Sequence, residues 1–216
     1  PAVPQRAFFL GGVIAVSPDR TDEIDVFTIT STGNASDWGN LTAIQDAGTG
    51  CASSTRGIHF TGTHNGSNAN NIDYFSVTSS GNASDFGDDA VTVTGSASVS
   101  NNTRGLVAGG SGEINNIRYI TIASTGNASD FGDLTLARES FNGGSANSTR
   151  GVFGGGFSSS AGHQLNTIDY VTIGSTGNAT DFGDLTVGDN GTCSSSNDTR
   201  GLFFGGGNRG NVIDYI

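Results

Sequence analysis

A motif of about 48 residues recurs along the whole chain. Each copy contains an arginine before a short apolar run, a glycine pair, a strand such as Ile-Asp-Tyr, and a turn followed by Asp-aromatic-Gly. The arginines are Arg6, Arg56, Arg104, Arg150 and Arg200, and the aromatic residues are Trp38, Phe86, Phe131 and Phe182. Four copies are complete and a fifth is shorter. The sequence therefore predicts a repeat architecture in which each unit packs on its neighbours.

Composition excludes several classes of partner. The chain of 216 residues has 35 glycines, nine basic and 20 acidic side chains, and a net charge of −11. An acidic surface without a basic cluster repels a phosphate backbone, so nucleic acid is excluded as a partner. No apolar stretch approaches the ~20 residues that span a bilayer, so membrane insertion is not expected. Regularly placed Ile, Val, Tyr and Phe distinguish the chain from disordered Gly-rich sequences.

The two ends of the sequence predict that it is a processed product or a piece of a longer protein. The chain has no methionine and opens on Pro1. It stops at Ile216, part-way through a repeat.

Local signals divide each repeat into four short strands. In the fourth repeat these are residues 141–148, 151–154, 168–173 and 181–185, and the next repeat begins with 191–196. The third and fourth strands are joined by Thr-Gly-Asn-Ala, in which Gly and Asn allow the positive φ of a tight reversal. Apolar residues occupy both faces of the third strand, so it must be covered on both sides.

These features predict an all-β fold, a β-propeller of four-stranded antiparallel blades with about five blades in this chain. The blades are approximately 1–41, 42–89, 90–134, 135–185 and an incomplete 186–216, within one repeat domain. Glycine pairs at residues 11–12, 109–110, 154–155 and 205–206 fit where inner strands crowd together, although the second repeat has Thr61-Gly62. A β-helix is the alternative, but its coils are usually shorter than this repeat.

The glycine pair, the acidic-aromatic strand and the later aromatic residue resemble the kelch repeat, which has a similar period. Phe mostly replaces the Trp of that repeat, and the spacing from Tyr74 to Phe86 is longer. The segments Ile-Asp-Tyr, Ser-Thr-Gly-Asn-Ala and Asp-Phe-Gly-Asp-Leu also resemble kelch-like repeats in structural and tail-fibre proteins of marine bacteriophages. This resemblance implies a virion or extracellular location.

The repeated charged residues are expected to be structural, because several equivalent copies of a catalytic pair are improbable. We expect each repeat arginine to be satisfied by backbone carbonyls and a carboxylate, for example Arg56 with Asp73 or Arg150 with Asp169. The carboxylates at this position are Asp25, Asp73, Asp169 and Asp214. The third repeat has Arg118 instead, so it must satisfy Arg104 in another way.

No catalytic, metal or cofactor site is predicted. The Asp residues before the repeated aromatics match no calcium loop, and we expect them to bond nearby backbone amides. Cys51 and Cys193 lie in non-adjacent repeats and are expected to be small buried thiols without a disulfide. The three histidines occupy unrelated repeat positions, which gives no support to a zinc or copper site.

Loops that differ between repeats are the predicted binding surface. In a meander these loops, between strands two and three and between blades, emerge on one face, and variability on a rigid scaffold marks a binding face. The candidate residues are Arg20, Asp22, His64, Asn68, Glu113, Phe157, His163 and Arg209.

These expectations lead to a non-enzymatic structural or adhesive propeller of a phage tail fibre or similar virion appendage. Its partners would be other virion or fibre subunits, with a homo-oligomer expected, and bacterial surface polysaccharide bound through the loops. A purely architectural virion or filament protein is the first alternative. A carbohydrate-active enzyme is the second, but only Glu23, Glu113 and Glu139 stand apart from the repeated acids.

Overall fold

The computed structural model describes residues 5–13, 20–64, 66–139, 143–207 and 211–216. They form five antiparallel β-sheets in a ring, a five-bladed β-propeller, so the predicted fold class is confirmed. We number the sheets blades 1 to 5 in chain order. Blades 3 and 4 have four strands in one continuous order, whereas blades 1 and 5 have three each.

The strands are as follows. Blade 1 contains β1 (Arg6–Val13), β2 (Arg20–Thr28) and β3 (Ser36–Asn40), and blade 2 contains β4 (Gln45–Asp46), β5 (Thr49–Ala52), β6 (Arg56–His64), β7 (Ser67–Ser76) and β8 (Ser84–Asp88). Blade 3 contains β9 (Ala97–Ser100), β10 (Arg104–Ala108), β11 (Asn116–Thr121) and β12 (Ser129–Asp133). Blade 4 contains β13 (Gly144–Ala146), β14 (Arg150–Gly154), β17 (Thr167–Thr172) and β18 (Thr180–Asp184), with a hairpin of β15 (Phe157–Ser158) and β16 (His163–Gln164) in its connection. Blade 5 contains β19 (Cys193–Ser196), β20 (Gly201–Phe204) and β21 (Ile213–Tyr215).

The strands predicted for the fourth repeat are confirmed to within a few residues, except that residues 140–142 lie outside the described part. Several paired segments lie where loops were predicted, including β4 after Leu41 and the start of β2 at Arg20. The β15–β16 hairpin was taken as loop, and β6 and β7 extend their pairing as far as His64 and Ser67.

Apolar side chains from adjacent blades form the core, as the two-sided pattern of the third strand predicts. Ile58, Phe60 and Ile72 of blade 2 pack with Ile120 and Ile122 of blade 3, all at most 2% exposed. Leu106, Ile117 and Phe131 of blade 3 likewise pack with Phe153 and Val171 of blade 4. The hydrophobic effect therefore holds blade to blade, and no blade has a complete core of its own.

The Gly-Asn-Ala turns of blades 2, 3 and 4 dock on the outer strand of the preceding blade. The Gly126 amide donates to the Phe86 carbonyl at 2.8 Å, and the Ala128 amide donates to the Asp88 carbonyl at 2.8 Å. The Asn127 side chain accepts from the Asp88 amide at 3.0 Å. The same bonds join the other turns to their preceding strands, from Gly81 and Ala83 to blade 1 and from Gly177 and Ala179 to blade 3. The sequence predicted this turn only as a local reversal, whereas it is also an inter-blade connector.

The repeat arginines lie over aromatic rings. The guanidinium carbons are 4.4–4.9 Å from the ring centroids, and the pairs are Arg6 with Trp38, Arg56 with Tyr74, Arg104 with Tyr119, Arg150 with Tyr170 and Arg200 with Tyr215. Three of these arginines also donate to a carbonyl of the next blade, as Arg56 does to Ile122 at 2.8 Å. The expected carbonyl contact is therefore confirmed for Arg6, Arg56 and Arg104, but the expected carboxylate is wrong, because an aromatic ring takes that place.

The repeat aspartates instead accept bonds from a threonine of the preceding blade. Asp73 accepts from the Thr42 amide at 3.0 Å and from its hydroxyl at 2.7 Å. Asp169 and Asp214 bond Thr135 and Thr186 in the same way. Each of these carboxylates is buried and accepts the threonine hydrogen bonds, which reduces the penalty of burying a charge. Asp169 also forms a fully buried ion pair with Arg138 of blade 3, with 3.0 Å from Nη2 to Oδ2.

Blade 3 replaces this contact with an ion pair. Arg118 stands at the position of the aspartates, and Asp89 stands where blades 1, 3 and 4 have Leu41, Leu134 and Leu185. The two side chains form a bidentate pair, with 3.1 Å from Nε to Oδ1 and 2.9 Å from Nη2 to Oδ2, and both are fully buried. Arg118 therefore has its own partner, and Arg104 is satisfied by Tyr119 and the Ile173 carbonyl.

The glycine pairs provide the predicted close approach. Gly109 and Gly110 have φ of +65° and +134°, and the Gly110 amide donates to the Arg138 carbonyl at 3.2 Å. A Cβ on Gly110 would meet the Val93 side chain at 2.9 Å. In the fourth blade the equivalent pair is Gly155-Gly156 rather than the predicted 154–155. Only glycine adopts these φ values without strain.

Two expectations about polar side chains have mixed outcomes. Asp85 and Asp181 accept from the amides of Gly87 and Gly183, as predicted for turn-holding aspartates. Cys51 and Cys193 are free thiols, but Cys193 is exposed and Cys51 half-buried, so the prediction of two buried thiols is wrong. Both cysteines lie on inner strands of small residues. These small side chains leave Cys193 exposed on the side that faces the other inner strands.

His59 makes stability pH-dependent. It is 3% exposed, its Nδ1 lacks a hydrogen-bond partner among the described residues, and burial lowers its pKa from 6.5 to about 4 against the opposing charge of Asp73. Because the folded-state pKa is depressed, this contribution is complete above the unfolded pKa of 6.5 and is lost as pH falls toward 4. We expect the His59 contribution to unfolding free energy to fall by about 2 kcal/mol between pH 7 and pH 5.

The measurement is urea unfolding of the wild type and of His59→Phe, the residue found at the equivalent positions Phe153 and Phe203. We expect the variant to lose that part of the pH dependence. His64→Phe, at an exposed site, is the control and should keep it. Identical pH profiles for the wild type and His59→Phe would contradict the assignment.

Candidate binding face

The connections between the second and third strands of a blade, and those between blades, lie at the same end of the antiparallel sheets. Seven of the eight predicted binding residues lie in the described part of this face, and Arg209 lies outside it. Its loops are joined to one another by hydrogen bonds between side chains and backbone. The face is thus a connected surface rather than a set of independent loops.

The β15–β16 hairpin carries two of the predicted residues together. Phe157 and His163 face each other across this hairpin with ring centroids 5.7 Å apart and planes at 39°. Phe157 is half-buried and His163 is exposed. His163 has φ of +97°, a conformation that is strained for a non-glycine residue and that persists only where the surroundings impose it.

Glu113 of blade 3 supports this hairpin from the side. Its carboxylate accepts bonds from the Ser159 amide at 3.0 Å and from the Ser158 hydroxyl at 3.2 Å. Bonds from Ser159 and then Ser158 lower the pKa of Glu113 against a smaller opposing effect of desolvation, so it stays ionised at neutral pH. Glu113, Phe157 and His163 thus form one cluster, which we call the hairpin cluster.

The remaining predicted residues of the described part lie on strands rather than in loops, with Arg20 and Asp22 on β2, His64 at the end of β6 and Asn68 on β7. Asn68 donates to the Ser111 hydroxyl at 3.1 Å, which joins the blade 2 and blade 3 loops. Arg20 forms an ion pair with Asp46 at 2.8 Å, and Asp22 accepts from the Asn40 side chain at 3.1 Å. These contacts occupy their charged groups, whereas His64 is exposed at the end of β6.

Sequence reasoning missed the residues that support the predicted ones. Ser158, Ser159 and Ser111 fix the loop conformations, yet as serines in a Ser-rich chain they carry no distinctive pattern. The one available signal was the length of the insertion between Gly156 and Thr167, which is long enough to fold back on itself.

A central cavity of about 620 Å³ lies on the axis of the ring. Its wall is formed by inner-strand residues of blades 2 to 5, including Thr49, Ser98, Gly144 and Ser194, with Phe8 of blade 1. The small side chains leave room along the axis but bring few convergent polar groups. This cavity therefore offers a ligand fewer specific polar and aromatic contacts than the hairpin cluster.

Two observations concern metal ligands and thiol chemistry. Over the described ranges, no three His, Cys, Asp or Glu residues lie together in a group able to hold a metal ion. Burial and a weaker opposing bond from Ser100 raise the pKa of Cys51 to about 12, which keeps this thiol protonated. The part of the chain that the structure describes also contains no helix long and apolar enough to cross a membrane.

Comparison with known proteins supports the fold. No family model matches the chain, and no curated protein matches it. The solved structure described as "Structure of YjhT" is similar over 100% of this chain and 78% of that one, with a TM-score of 0.72 and 11% sequence identity. At this identity the likeness shows a shared propeller fold and nothing about activity.

Proposed function

We propose that this propeller is a non-enzymatic adhesive module that binds neutral surface glycans through the loop face. The observation that carries the proposal is the hairpin cluster, in which Phe157 faces an exposed His163 of strained φ, and Glu113 holds the hairpin through Ser158 and Ser159. Strained residues that persist are a feature of binding sites. Aromatic faces with a few polar groups suit sugar rings.

The net charge of the protein limits the class of glycan that it can bind. The net charge of −11 repels polyanionic polysaccharides, so neutral or cationic glycans are favoured. A shallow site with few anchors gives weak contacts, which become useful when several copies act together. The resemblance of the repeats to kelch-like tail-fibre sequences of marine bacteriophages supports a virion or extracellular setting with several copies.

Enzymatic carbohydrate cleavage is a weaker alternative. A glycosidase needs one carboxyl group that stays protonated near neutral pH and a second that is ionised. The pKa of Glu113 is shifted downward, and Glu139 accepts a bond from the Gly112 amide at 3.3 Å. A lowered pKa is the opposite of what a general acid at neutral pH needs.

An architectural role is the second candidate, and a specific observation favours it. Phe9, Ile29, Ile213 and Tyr215 expose between 58% and 69% of their surface at the two ends of the array of blades. Exposed apolar clusters of this kind mark contact surfaces. Filaments of the purified protein, seen by electron microscopy without any glycan ligand, would favour this candidate.

Glycan binding is tested with an array of bacterial surface polysaccharides and the purified protein coupled in several copies to beads. We expect retention on a neutral glycan and at least a tenfold loss of it in Phe157→Ala, because the aromatic face is removed. Phe182→Ala is the matched control, since Phe182 is an aromatic residue that solvent reaches but that lies on outer strand β18. Equal retention by both variants and the wild type would contradict a role for the hairpin cluster.

A further inference from the structure

Strand β2 of blade 1 departs from the repeat at one position. Val26 stands where the other blades have a tyrosine, and these tyrosines are Tyr74, Tyr119, Tyr170 and Tyr215. In blades 2, 3 and 4 the tyrosine ring contacts both the repeat arginine and the phenylalanine of the outer strand, with the two ring centroids 5.8–6.0 Å apart. Blade 1 has no ring at this position, so its arginine and its outer strand meet in another way.

Arg6 and Trp38 contact each other directly in blade 1. The guanidinium carbon of Arg6 lies 4.7 Å from the centroid of the indole ring. Backbone carbonyls of blade 2 fix both side chains, because Arg6 Nη1 donates to Val77 and Trp38 Nε1 donates to Ser76, each at 2.8 Å. The pair is therefore held on the side of blade 1 that packs on blade 2, an interface whose two sides the structure describes.

A pocket of about 400 Å³ opens beside this pair, and we call it the Trp38 pocket. Its lining includes Arg6, Val26, Ser36, Asp37, Trp38 and, from the turn of blade 2, Ser80. Val26 pairs with Ser36 across β2 and β3, so their side chains lie on the same side of the blade. The pocket thus corresponds to the place that a tyrosine ring fills in the other blades.

The Trp38 pocket offers a ligand one aromatic surface and several polar groups. Arg6 has five N–H donors, and its bond to Val77 uses one of the two amino groups. Asp85 and Asp181, the equivalents of Asp37, accept from the glycine amide two residues later, whereas Asp37 accepts no bond from the described residues. Planar donors and acceptors beside an aromatic ring match the adjacent hydroxyls and the apolar face of a sugar ring.

The turns around the pocket carry almost no charge. The pocket lies where the repeated turns emerge, and those turns contain Ser, Thr, Asn, Gly, Ala, Val and Ile with a single carboxylate, at Asp198. They are residues 29–35, 53–55, 77–83, 101–103, 122–128, 147–149, 173–179 and 197–199. A neutral ligand is not repelled here, whereas Asp37 and the net charge of −11 disfavour an acidic one.

We infer that the Trp38 pocket is a second binding site, which takes a single neutral sugar ring. It lies on the face of the propeller opposite to the hairpin cluster, and its contacts do not depend on that cluster. Two sites on opposite faces allow one molecule to connect two glycan chains, which goes beyond adhesion through the loop face.

The test uses the single tryptophan of the chain as its reporter. Methyl glycosides of glucose, galactose, mannose and N-acetylglucosamine are titrated into the purified protein while the fluorescence of Trp38 is followed. We expect at least one of them to shift the emission and to protect the indole from acrylamide quenching, with a dissociation constant in the low millimolar range. Glucuronate and galacturonate are expected to bind about tenfold more weakly because of their charge.

Val26→Tyr tests the position directly, because it places in blade 1 the ring that the other blades carry. We expect the affinity for the sugar to fall about tenfold or more, with an unchanged far-UV circular dichroism spectrum. Val26→Thr keeps the shape of the side chain and is the matched control, which should bind like the wild type. Isothermal titration calorimetry measures both variants, since a new ring beside the indole alters its fluorescence.

Three results overturn the inference: no response to any of the four glycosides, equal affinity of Val26→Tyr and the wild type, or tighter binding of the acidic sugars. If Val26→Tyr does not fold, Asp37→Ala on the exposed part of the lining decides, with Asp85→Ala of blade 2 as its control. We expect weaker sugar binding in Asp37→Ala only, and unchanged binding in both overturns the inference. Phe157→Ala should leave the Trp38 titration unchanged, so failure of the hairpin cluster as a glycan site is distinguishable from failure of this one.

Discussion

Asp89→Leu is expected to destabilise the protein by about 3–5 kcal/mol, although leucine is the residue at this position in the other blades. The substitution leaves the Arg118 guanidinium fully buried without its carboxylate. Its remaining bonds to the carbonyls of Gly109 and Asn116, at 3.1 and 2.8 Å, do not neutralise the charge. Urea unfolding followed by far-UV circular dichroism measures the loss.

The matched control restores the contact used by the other blades. A triple variant, Asp89→Leu with Ala90→Thr and Arg118→Asp, recreates the threonine-to-aspartate bonds seen between Thr42 and Asp73. We expect it to recover most of the lost stability, because the buried carboxylate again has neutral donors. Equal stability of Asp89→Leu and the wild type would show that the pair is not a strong determinant of this interface.

Gly132→Ala is expected to have the second large effect, about 1–3 kcal/mol beyond the cost of the same change at Gly183. Both glycines occupy the same position of the Asp-Phe-Gly-Asp motif, with φ of +145° and +135°, so the backbone strain is similar. A Cβ on Gly132 would meet the Gly177 backbone, with its carbonyl carbon at 2.5 Å, and Asn178 N at 2.8 Å. A Cβ on Gly183 would meet nothing within 4 Å.

The difference between the two variants isolates the close packing of a turn on the outer strand before it. Thermal or urea unfolding of both proteins measures it, and hydrogen exchange at Gly177 and Ala179 shows whether their bonds to blade 3 are lost. We expect faster exchange at these two amides in Gly132→Ala only. Equal destabilisation by both substitutions would assign the whole effect to φ.

Much of the fold could be predicted because its signals are local. The alternation in residues 168–173 indicates a strand, the Gly-Asn turn indicates a reversal, and their return along the chain indicates a blade. The two-sided apolar pattern of the third strand predicted packing of blade on blade, which the buried faces of blades 2 to 4 confirm.

What could not be predicted depends on contacts one repeat away. The Gly-Asn-Ala turn is explained locally as a reversal, and nothing in its letters shows that Gly126 and Ala128 bond the strand before them. Arg56 and Asp73 carry opposite charges in one repeat, so the sequence suggests a salt bridge between them. In the structure each has neutral partners instead: Arg56 contacts the Tyr74 ring and the Ile122 carbonyl, and Asp73 accepts from Thr42. In a regular repeat every residue has equivalents about one period away, so the sequence offers several plausible contact partners for each side chain.

The candidate face was predicted less completely for a related reason. Variable loops could be located from the sequence, but the meeting of Glu113 with the hairpin of Phe157 and His163 depends on the angle between blades 3 and 4. That angle is set by the core between the blades, whose geometry is not encoded in either loop.

The exchange of charge at Asp89 and Arg118 also bears on how nearly identical repeats find their correct order. During folding, blade 4 in place of blade 3 would bring Asp169 against Asp89, two carboxylates without a shared counter-charge, in an apolar interface. Blade 3 on any other blade would leave Arg118 facing a leucine. The Asp89–Arg118 pair therefore disfavours assembly in which a blade is skipped, a characteristic failure of repeat chains. It allows blades 2 and 3 to recognise each other among otherwise similar repeats.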